Sequence, residues 1–508
     1  MVFHTISLFS FLFLLLLPRP LLFYSLKNCT TDAHDNSIVF CDNRELEIIP
    51  PDIPRTATYL DLSENQLTKI SQNDLTGFIR LQTLSVRINV ISQIEVGAFS
   101  DLLALNELNL ARNKLRNLSD NMFDGLSHLS ILDLSRNKIK SISKFAFYNL
   151  DNLQELNLWN NNLSLDLRGI GRFFDKGLLD FACGIPSLRM LYLQYNDITV
   201  LNNSLLQSCA NLTELDLSQN SMTDLAESSL QIVDSVENLY LLSSHSESDK
   251  GLLEMACEIP TLQKLDSVDY SIPILNESIL QSCTNLTELH LQYNSMSDLT
   301  ESSLQMLTRL TRLTINQNQL SRIPLTIRNM STLTFLSFED NLITELHCLD
   351  FTNLPSLTEL NLKSNKISKL ETCVFQDLRN LKVLEIQNNF LTALSETFGS
   401  TLKHLVTLNA DGNNFRWFQR GTFQNLPALR ELNVKSVREI IVDNGAFMGL
   451  KELKRLSSHL RHICFLQRHD EDWVYGELLH ELEERQGWKL CLHHRDFIPG
   501  TTGFKTVQ

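Results

Sequence analysis

Leu129-Ser-Ile-Leu132-Asp-Leu134-Ser-Arg-Asn137-Lys-Ile139 is one clean copy of a phrase, Leu-x-x-Leu-x-Leu-x-x-Asn-x-Leu, that the chain repeats from Thr56 to about Val437. Its asparagines fall at Asn65, Asn89, Asn113, Asn137 and Asn161, each step 24 residues. The next are Asn196 and Asn220, and the register runs on through Ser244 and Tyr270 to Asn294, Asn318, Asn341, Asn365, Asn389 and Asn413. Self-similarity at this period marks a solenoid, and the wording is that of a leucine-rich repeat. Leu132 and Leu134 lie two apart, so on an extended segment both point into the stack. Ser130, Asp133, Ser135 and Arg136 then face solvent. The asparagine amide donates and accepts, and is expected to satisfy backbone groups of its own turn and of the next coil. Ten residues past most asparagines stands a phenylalanine (Phe99, Phe123, Phe147, Phe351, Phe375, Phe423, Phe447), read as a buried spine on the convex side. One coil cannot bury its own apolar face, so stability is shared between neighbours.

The expected fold is therefore an α/β leucine-rich-repeat solenoid. A curved parallel sheet lies on its concave face and irregular or short helical structure on its convex side. Residues 56–466 hold about sixteen or seventeen repeats. The formal net charge of -15 argues against indiscriminate nucleic-acid binding, although a local basic face remains compatible with it. No run of eighteen apolar residues follows the N-terminus, so no membrane span is read there.

Working outward, Ile6–Leu17 is an apolar core of signal-peptide length followed by Pro18-Arg19-Pro20, with cleavage expected near Ser25 and a signal over residues 1–25. Residues 26–55 carry Cys29 and Cys41, a pair suited to a small cap over the open end of the core. Cys183 and Cys209, Cys257 and Cys283, and Cys348 and Cys373 each lie about one coil apart, so each pair is a candidate disulfide with a buried free-thiol pair as the alternative. Glycosylation sequons begin at Asn28, Asn117, Asn162, Asn202, Asn211, Asn276, Asn285 and Asn329. Together these features point to the secretory route.

Asn161 to Asn196 is 35 residues, so a loop around 166–175 interrupts the period. Lys176–Cys183 returns as Lys250–Cys257, and Leu205–Cys209 as Ile279–Cys283, both at an offset of 74. A three-coil block is thus duplicated in tandem. In this middle section leucines (Leu206, Leu230, Leu280, Leu304) replace the phenylalanine spine, and a local change of curvature is expected.

Past Gln467 the pattern changes. Asp470–Glu484 carries Trp473, Leu478, Leu479 and Leu482 on a helical stripe, Trp488–Leu492 reads as a short strand, and His493–Gly500 as a polar turn. Leu490-Cys491, Arg495-Asp496 and Pro499-Gly500 resemble the second signature box of the Toll/interleukin-receptor domain, and Asp472-Trp473 the helix before it. With the cysteine-led cap and the repeats, the chain as a whole resembles a Toll-like receptor. Its wording is nearest the fish-type members numbered thirteen, twenty-one and twenty-two. The resemblance implies that residues 468–508 are part of a flavodoxin-like domain (first helix, second strand, box-two loop). It also assigns contact with Toll/interleukin-receptor adaptors to Arg495, Asp496, Pro499 and Gly500. The family's first strand, later strands, cysteine-rich closing cap and membrane helix are not matched, so this chain is expected not to recruit adaptor alone. Either the gene model lost exons near Gln467 or a spliced secreted form exists.

Candidate ligand contacts fall into two groups. Arg87, Arg112 and Arg136, beside Lys114 and Lys138, offer a cationic column for phosphate oxygens, with Glu64, Asp61 and Asp133 near enough to neutralise it. Trp159, Tyr192, Tyr195, Tyr240, His290 and Tyr293 fall on or beside solvent-facing positions as aromatic anchors. No catalytic set, metal-ligand spacing or phosphate loop appears, so no enzyme, no metal and no cofactor is expected. The expected function is innate-immune pattern recognition. The ectodomain binds a microbial ligand, RNA among the candidates, and forms a receptor homo- or heterodimer. The alternative is a secreted leucine-rich-repeat decoy or co-receptor. Localisation follows: membrane, at the surface or in endosomes, for a longer form, and secreted or luminal for the chain as written.

Overall fold

In the computed structural model the described residues are 29–143, 145–163, 185–198, 200–201, 211–220, 224–225, 235–242, 253, 256–268, 274–275, 277–394, 401–436, 440–443, 445–457, 462–466 and 489–493. The signal peptide, the loop at 166–175, the helix at 470–484 and the turn carrying Arg495, Asp496, Pro499 and Gly500 lie outside them. So do Cys183, Cys209, Asn28, Asn202 and Asn276. The chain divides into two compact units, Met1–Leu265 and Asp266–Gln508.

The first unit opens with Thr30–Thr31 antiparallel to Ile38–Phe40 and with the Cys29–Cys41 disulfide. Every later pairing in its main sheet is parallel. Ile38–Phe40 pairs with Tyr59–Asp61, then follow Thr83–Ser85, Glu107–Asn109, Ile131–Asp133, Glu155–Asn157, Met190–Tyr192, Glu214–Asp216 and Asn238–Leu242. The register runs leucine to leucine, through Leu60, Leu84, Leu108, Leu132, Leu156, Leu191, Leu215 and Leu239, all buried. The long step to Asn196 does not disturb it, because Glu155 faces Met190 as if the interruption were not there.

The second unit repeats the arrangement over Glu288–His290, Arg312–Thr314, Phe335–Ser337, Glu359–Asn361, Val383–Glu385, Thr407–Asn409, Glu431–Asn433 and Arg455–Ser457. This is a parallel-sheet leucine-rich-repeat solenoid. Away from the main sheet, irregular or short helical structure was expected. The described residues form turns and two-residue strand pairs such as Lys69–Ile70 with Gln93–Ile94, helix being limited to short pieces such as Glu277–Leu280 and the 3-10 turn Leu325–Ile327. A 24-residue coil leaves too few residues per turn of the solenoid for a long helix to return the chain. In the second unit a smaller sheet joins Trp417–Phe418, Ile441–Asp443, His462–Leu466 and Lys489–His493. The strand Lys489–His493, assigned by resemblance to a separate domain, here pairs in parallel with His462–Leu466.

The asparagine ladder explains the recurring asparagine of the phrase. Asn113 Nδ2 donates to the carbonyls of Leu110 in its own coil and Val86 in the coil before, each at 3.0 Å, while Oδ1 accepts the N–H of Ile91 at 3.0 Å. The coil served is thus the preceding one, where the next was expected, because the amide lies on the side of the turn facing back along the stack. The spine is equally regular: Phe99, Phe123 and Phe147 stack at 6.2 and 5.6 Å, as do Phe351 and Phe375 at 6.4 Å and Phe423 and Phe447 at 5.6 Å. Leu280 and Leu304 fill the same place and are buried. Ser135, expected at the surface, is buried, its N–H bonded to the Asp133 carboxylate at 2.9 Å. A serine there is too short to clear its neighbours.

The residue before each ladder asparagine takes a left-handed conformation, φ lying between 52° and 67° from Glu64 to Gln219 in the first unit and from Tyr293 to Gly412 in the second. The turn allows that residue's N–H to continue the pairing, as Arg112 does to the Ser135 carbonyl at 2.8 Å. Ile88 at φ 55° is the β-branched exception, and such a residue bears the largest steric cost there. Asn160 and Asn388 occupy the position without that cost. Ile88→Asn is therefore expected to raise stability by about 0.5–1 kcal/mol. An unfolding midpoint in denaturant that falls instead of rising would contradict it.

Candidate recognition surface

On the first unit's sheet the outward positions are the first and third residues of each strand. They carry Glu107, Glu155 and Glu214 in one column and Asp61, Asp133 and Asp216 in the other. Like charges so close cannot all ionise freely. Glu155 is pushed up first by burial and then by Asp133, Glu214 and Glu107. Burial also raises Asp216, against the hydrogen bonds it accepts from Ser218. Burial and the Glu214 carboxylate, to which Tyr192 Oη donates at 3.0 Å, push the Tyr192 hydroxyl up. Both carboxyls thus have folded values above their unfolded ones. Their contribution favours the fold at mildly acid pH and is lost as pH rises through the folded values. Asp216→Asn keeps an acceptor for Ser218 and removes the charge. It is expected to raise stability at neutral pH by about 0.5 kcal/mol, with a smaller gain near pH 4. A gain that instead grows on acidification would refute this assignment.

The expected basic residues lie off this acidic face. Arg112 and Arg136 occupy the left-handed position, and Lys114 and Lys138, both exposed, follow the ladder asparagines. Arg87 is exposed but one residue out of column, because the 24-residue count puts Ile88 level with Arg112 and Arg136. The single cationic column expected from all three arginines is therefore shortened to two.

What the structure adds is a ridge beside it. The Arg136 guanidinium carbon stands 4.3 Å over the Trp159 ring, and the Trp159 and Tyr195 rings meet edge-on at 6.2 Å. The backbone holds this arrangement, with the Arg136 N–H donating to the Trp159 carbonyl at 2.6 Å and the Tyr195 N–H to the Ser218 carbonyl at 3.0 Å. Tyr195 is 51% exposed. Two donors, Arg136 Nε and Trp159 Nε1, and one acceptor, Gln194 Oε1, are shielded from solvent there without a hydrogen-bond partner. Buried polar atoms of this kind are costly and uncommon. Gln194 was not singled out in the sequence; its place just ahead of Tyr195 was the available signal.

The other candidates have their own neighbours. Tyr240 lies under Lys264, whose Nζ is 4.9 Å from the ring centre and 3.1 Å from the hydroxyl. His290 and Tyr293 belong to the second unit, where His290 Nε2 is 3.5 Å from Glu288 and Tyr293 is 52% exposed. Of the sequon asparagines, Asn117, Asn162, Asn211 and Asn329 are exposed and Asn285 is half-buried. Cys348 is bonded to Cys373, and Cys257 and Cys283 are each in a disulfide.

Comparison with known proteins agrees with the repeat fold. The leucine rich repeat family matches residues 79–139, 127–168, 186–245 and 355–415, and the BspA type leucine rich repeat region matches 261–347. This chain is a leucine-rich repeat protein. It is similar to leucine-rich repeat-containing protein 3 of Danio rerio, 36% identical over 74 residues, 14% of this chain and 28% of that one. Opticin of Homo sapiens is 35% identical over 82 residues (16% and 24%), and Toll-like receptor 4 of Sus scrofa 46% over 55 residues (11% and 6%). The chain spans less than a third of the length of these curated relatives. Among solved structures, a leucine-rich repeat protein of Leptospira interrogans aligns with a TM-score of 0.56 and 26% identity, over 74% of this chain and 89% of that one. A TLR13–ssRNA13 complex aligns at 0.45 and 21%, over 86% and 79%.

Proposed function

We propose that this chain is the recognition part of a Toll-like innate-immune receptor and that it takes its ligand along the ridge Arg112, Arg136, Trp159 and Tyr195. Support comes from the resemblance of the tail to the receptor family and from the short match to Toll-like receptor 4. The observation that carries the site is the run of Arg136 over Trp159 and Trp159 against the exposed Tyr195 ring. A ligand with flat rings and anionic oxygens suits the exposed Tyr195 ring and the exposed Arg112 side chain, and single-stranded RNA is the microbial polymer of that chemistry. The neighbouring carboxylates of the sheet confine such a strand to the ridge. Two receptor chains on one ligand then bring their partners' signalling segments together by proximity. Adaptor contact through Arg495, Asp496, Pro499 and Gly500 rests on the sequence resemblance alone. The sequons and disulfides suit the secretory pathway.

The test is binding of a labelled single-stranded RNA to the purified chain at two salt concentrations. Trp159→Ala is expected to weaken binding about 10-fold. Arg136→Glu with Arg112→Glu is expected to weaken it further and to flatten its salt dependence. Affinity unchanged in both variants rejects the site.

A further inference from the structure

In the second unit the short parallel pair Glu345–Leu346 and Lys369–Leu370 ends in a cluster with metal-binding chemistry. Cys348 and Cys373 sit just past these strands on consecutive coils, their Cα atoms 4.9 Å apart. Glu371 stands between them. Its Oε2 accepts the Cys348 N–H at 2.8 Å, and its Oε1 meets His347 Nδ1 at 3.1 Å. Both sulfurs and a Glu371 carboxylate oxygen lie within 4.8 Å of one another, all half-buried and so reachable from solvent. Among the described residues no other trio of His, Cys, Asp and Glu side chains converges in this way. His347 is itself held, its N–H donating to Asp350 Oδ2 at 2.7 Å and its Nε2 lying 3.5 Å from Glu345. Facing charges are Lys369, 3.8 Å from Glu345, and Arg328 towards Asp350.

We infer that Cys348, Cys373 and Glu371 bind a zinc ion when the Cys348–Cys373 bond is reduced, so that disulfide and metal are alternative fastenings of the same two coils. Two thiolates with one carboxylate oxygen form a donor set suited to Zn2+ and poorly suited to Mg2+ or Ca2+, with water completing the tetrahedron. Zn–S bonds of about 2.3 Å place the sulfurs roughly 3.8 Å apart. Coils with this Cα spacing reach that by side-chain rotation. Reduction by a water-soluble phosphine consumes the disulfide and one water and yields two thiols and the phosphine oxide. Zinc then replaces the two thiol protons, which pass to solvent. The His347 ring nitrogen at 3.1 Å and the Cys348 N–H at 2.8 Å fix the Glu371 carboxylate beside the two sulfurs. His347 is a positioning residue. The one-coil spacing of Cys348 and Cys373 signals that pair in the sequence, whereas only coil stacking brings Glu371 to Cys348.

The experiment titrates the phosphine-reduced full chain with Co2+ and then Zn2+. The expected result is a thiolate-to-cobalt band with tetrahedral visible bands, abolished by one equivalent of Zn2+ and absent from the oxidised chain. Glu371→Gln keeps the disulfide and an acceptor for Cys348, and is expected to weaken Co2+ binding at least about 10-fold, with His347→Ala giving about 10-fold. Cys348→Ser is expected to remove most of the thiolate band. No cobalt–thiolate band in the reduced chain overturns the site. So does metal uptake that is equal in oxidised protein, in Glu371→Gln or in Cys348→Ser.

Discussion

Asn137→Leu is expected to lower the free energy of unfolding by about 2–4 kcal/mol, although leucine is apolar and similar in size. The loss follows from what the amide does. Asn137 is 7% exposed; its Nδ2 donates to the Leu110 and Leu134 carbonyls at 3.0 Å, and its Oδ1 accepts the Leu115 N–H at 3.1 Å. The carbonyls are each shared with a second rung, Leu110 with Asn113 and Leu134 with Asn161, so each keeps one donor. The Leu115 N–H loses the only acceptor it has in the ladder, and a buried donor left alone costs about 1–3 kcal/mol. Asn137→Asp keeps that acceptor but turns a carboxylate towards two carbonyl oxygens. Its folded pKa is then raised, so stability is retained at acid pH and lost as pH rises through that value. Denaturant unfolding at pH 4 and pH 7 measures both effects, and hydrogen exchange at Leu115 locates the first. A leucine variant within 0.5 kcal/mol of the parent, on the order of a surface substitution, would remove the ladder from the account of stability.

Phe123→Ala is expected to cost about 3–5 kcal/mol. The ring is 2% exposed and lies between Phe99 and Phe147 at 6.2 and 5.6 Å, nearly parallel to both. Alanine leaves a cavity that two pairing networks prevent from collapsing, since the coils on either side are held in register by the main sheet and by the short strands Asn117–Leu118 and Ser141–Ile142. Phe123→Leu is expected to cost only about 1–1.5 kcal/mol, because Leu280 and Leu304 already fill this place in other coils. Equal losses for alanine and leucine in denaturant unfolding would mean that ring stacking, rather than volume, sets the cost.

The repeated phrase by itself determined the coil length, the inward leucines, the asparagine rungs and the phenylalanine spine. The reason is that these depend on short-range rules: alternation along a strand, a 24-residue return, and backbone groups that must find partners. The acidic columns of the first unit follow from the same count, which puts Glu107, Glu155 and Glu214 at one strand position, but the sequence reading did not single them out. Other features only the tertiary structure decided. The 35-residue step before Asn196 left open whether Trp159 and Tyr195 would meet, and pairing of Glu155 with Met190 brings them together. The tilt of Arg136 onto Trp159 depends on a left-handed backbone shared by chemically unlike residues, from Glu64 to Gly412, so no residue type announces it. Glu371 reaches Cys348 only because one coil lies on the next. Contacts within a coil are set by neighbours in sequence, whereas contacts across coils depend on how each side chain turns once the stack has formed.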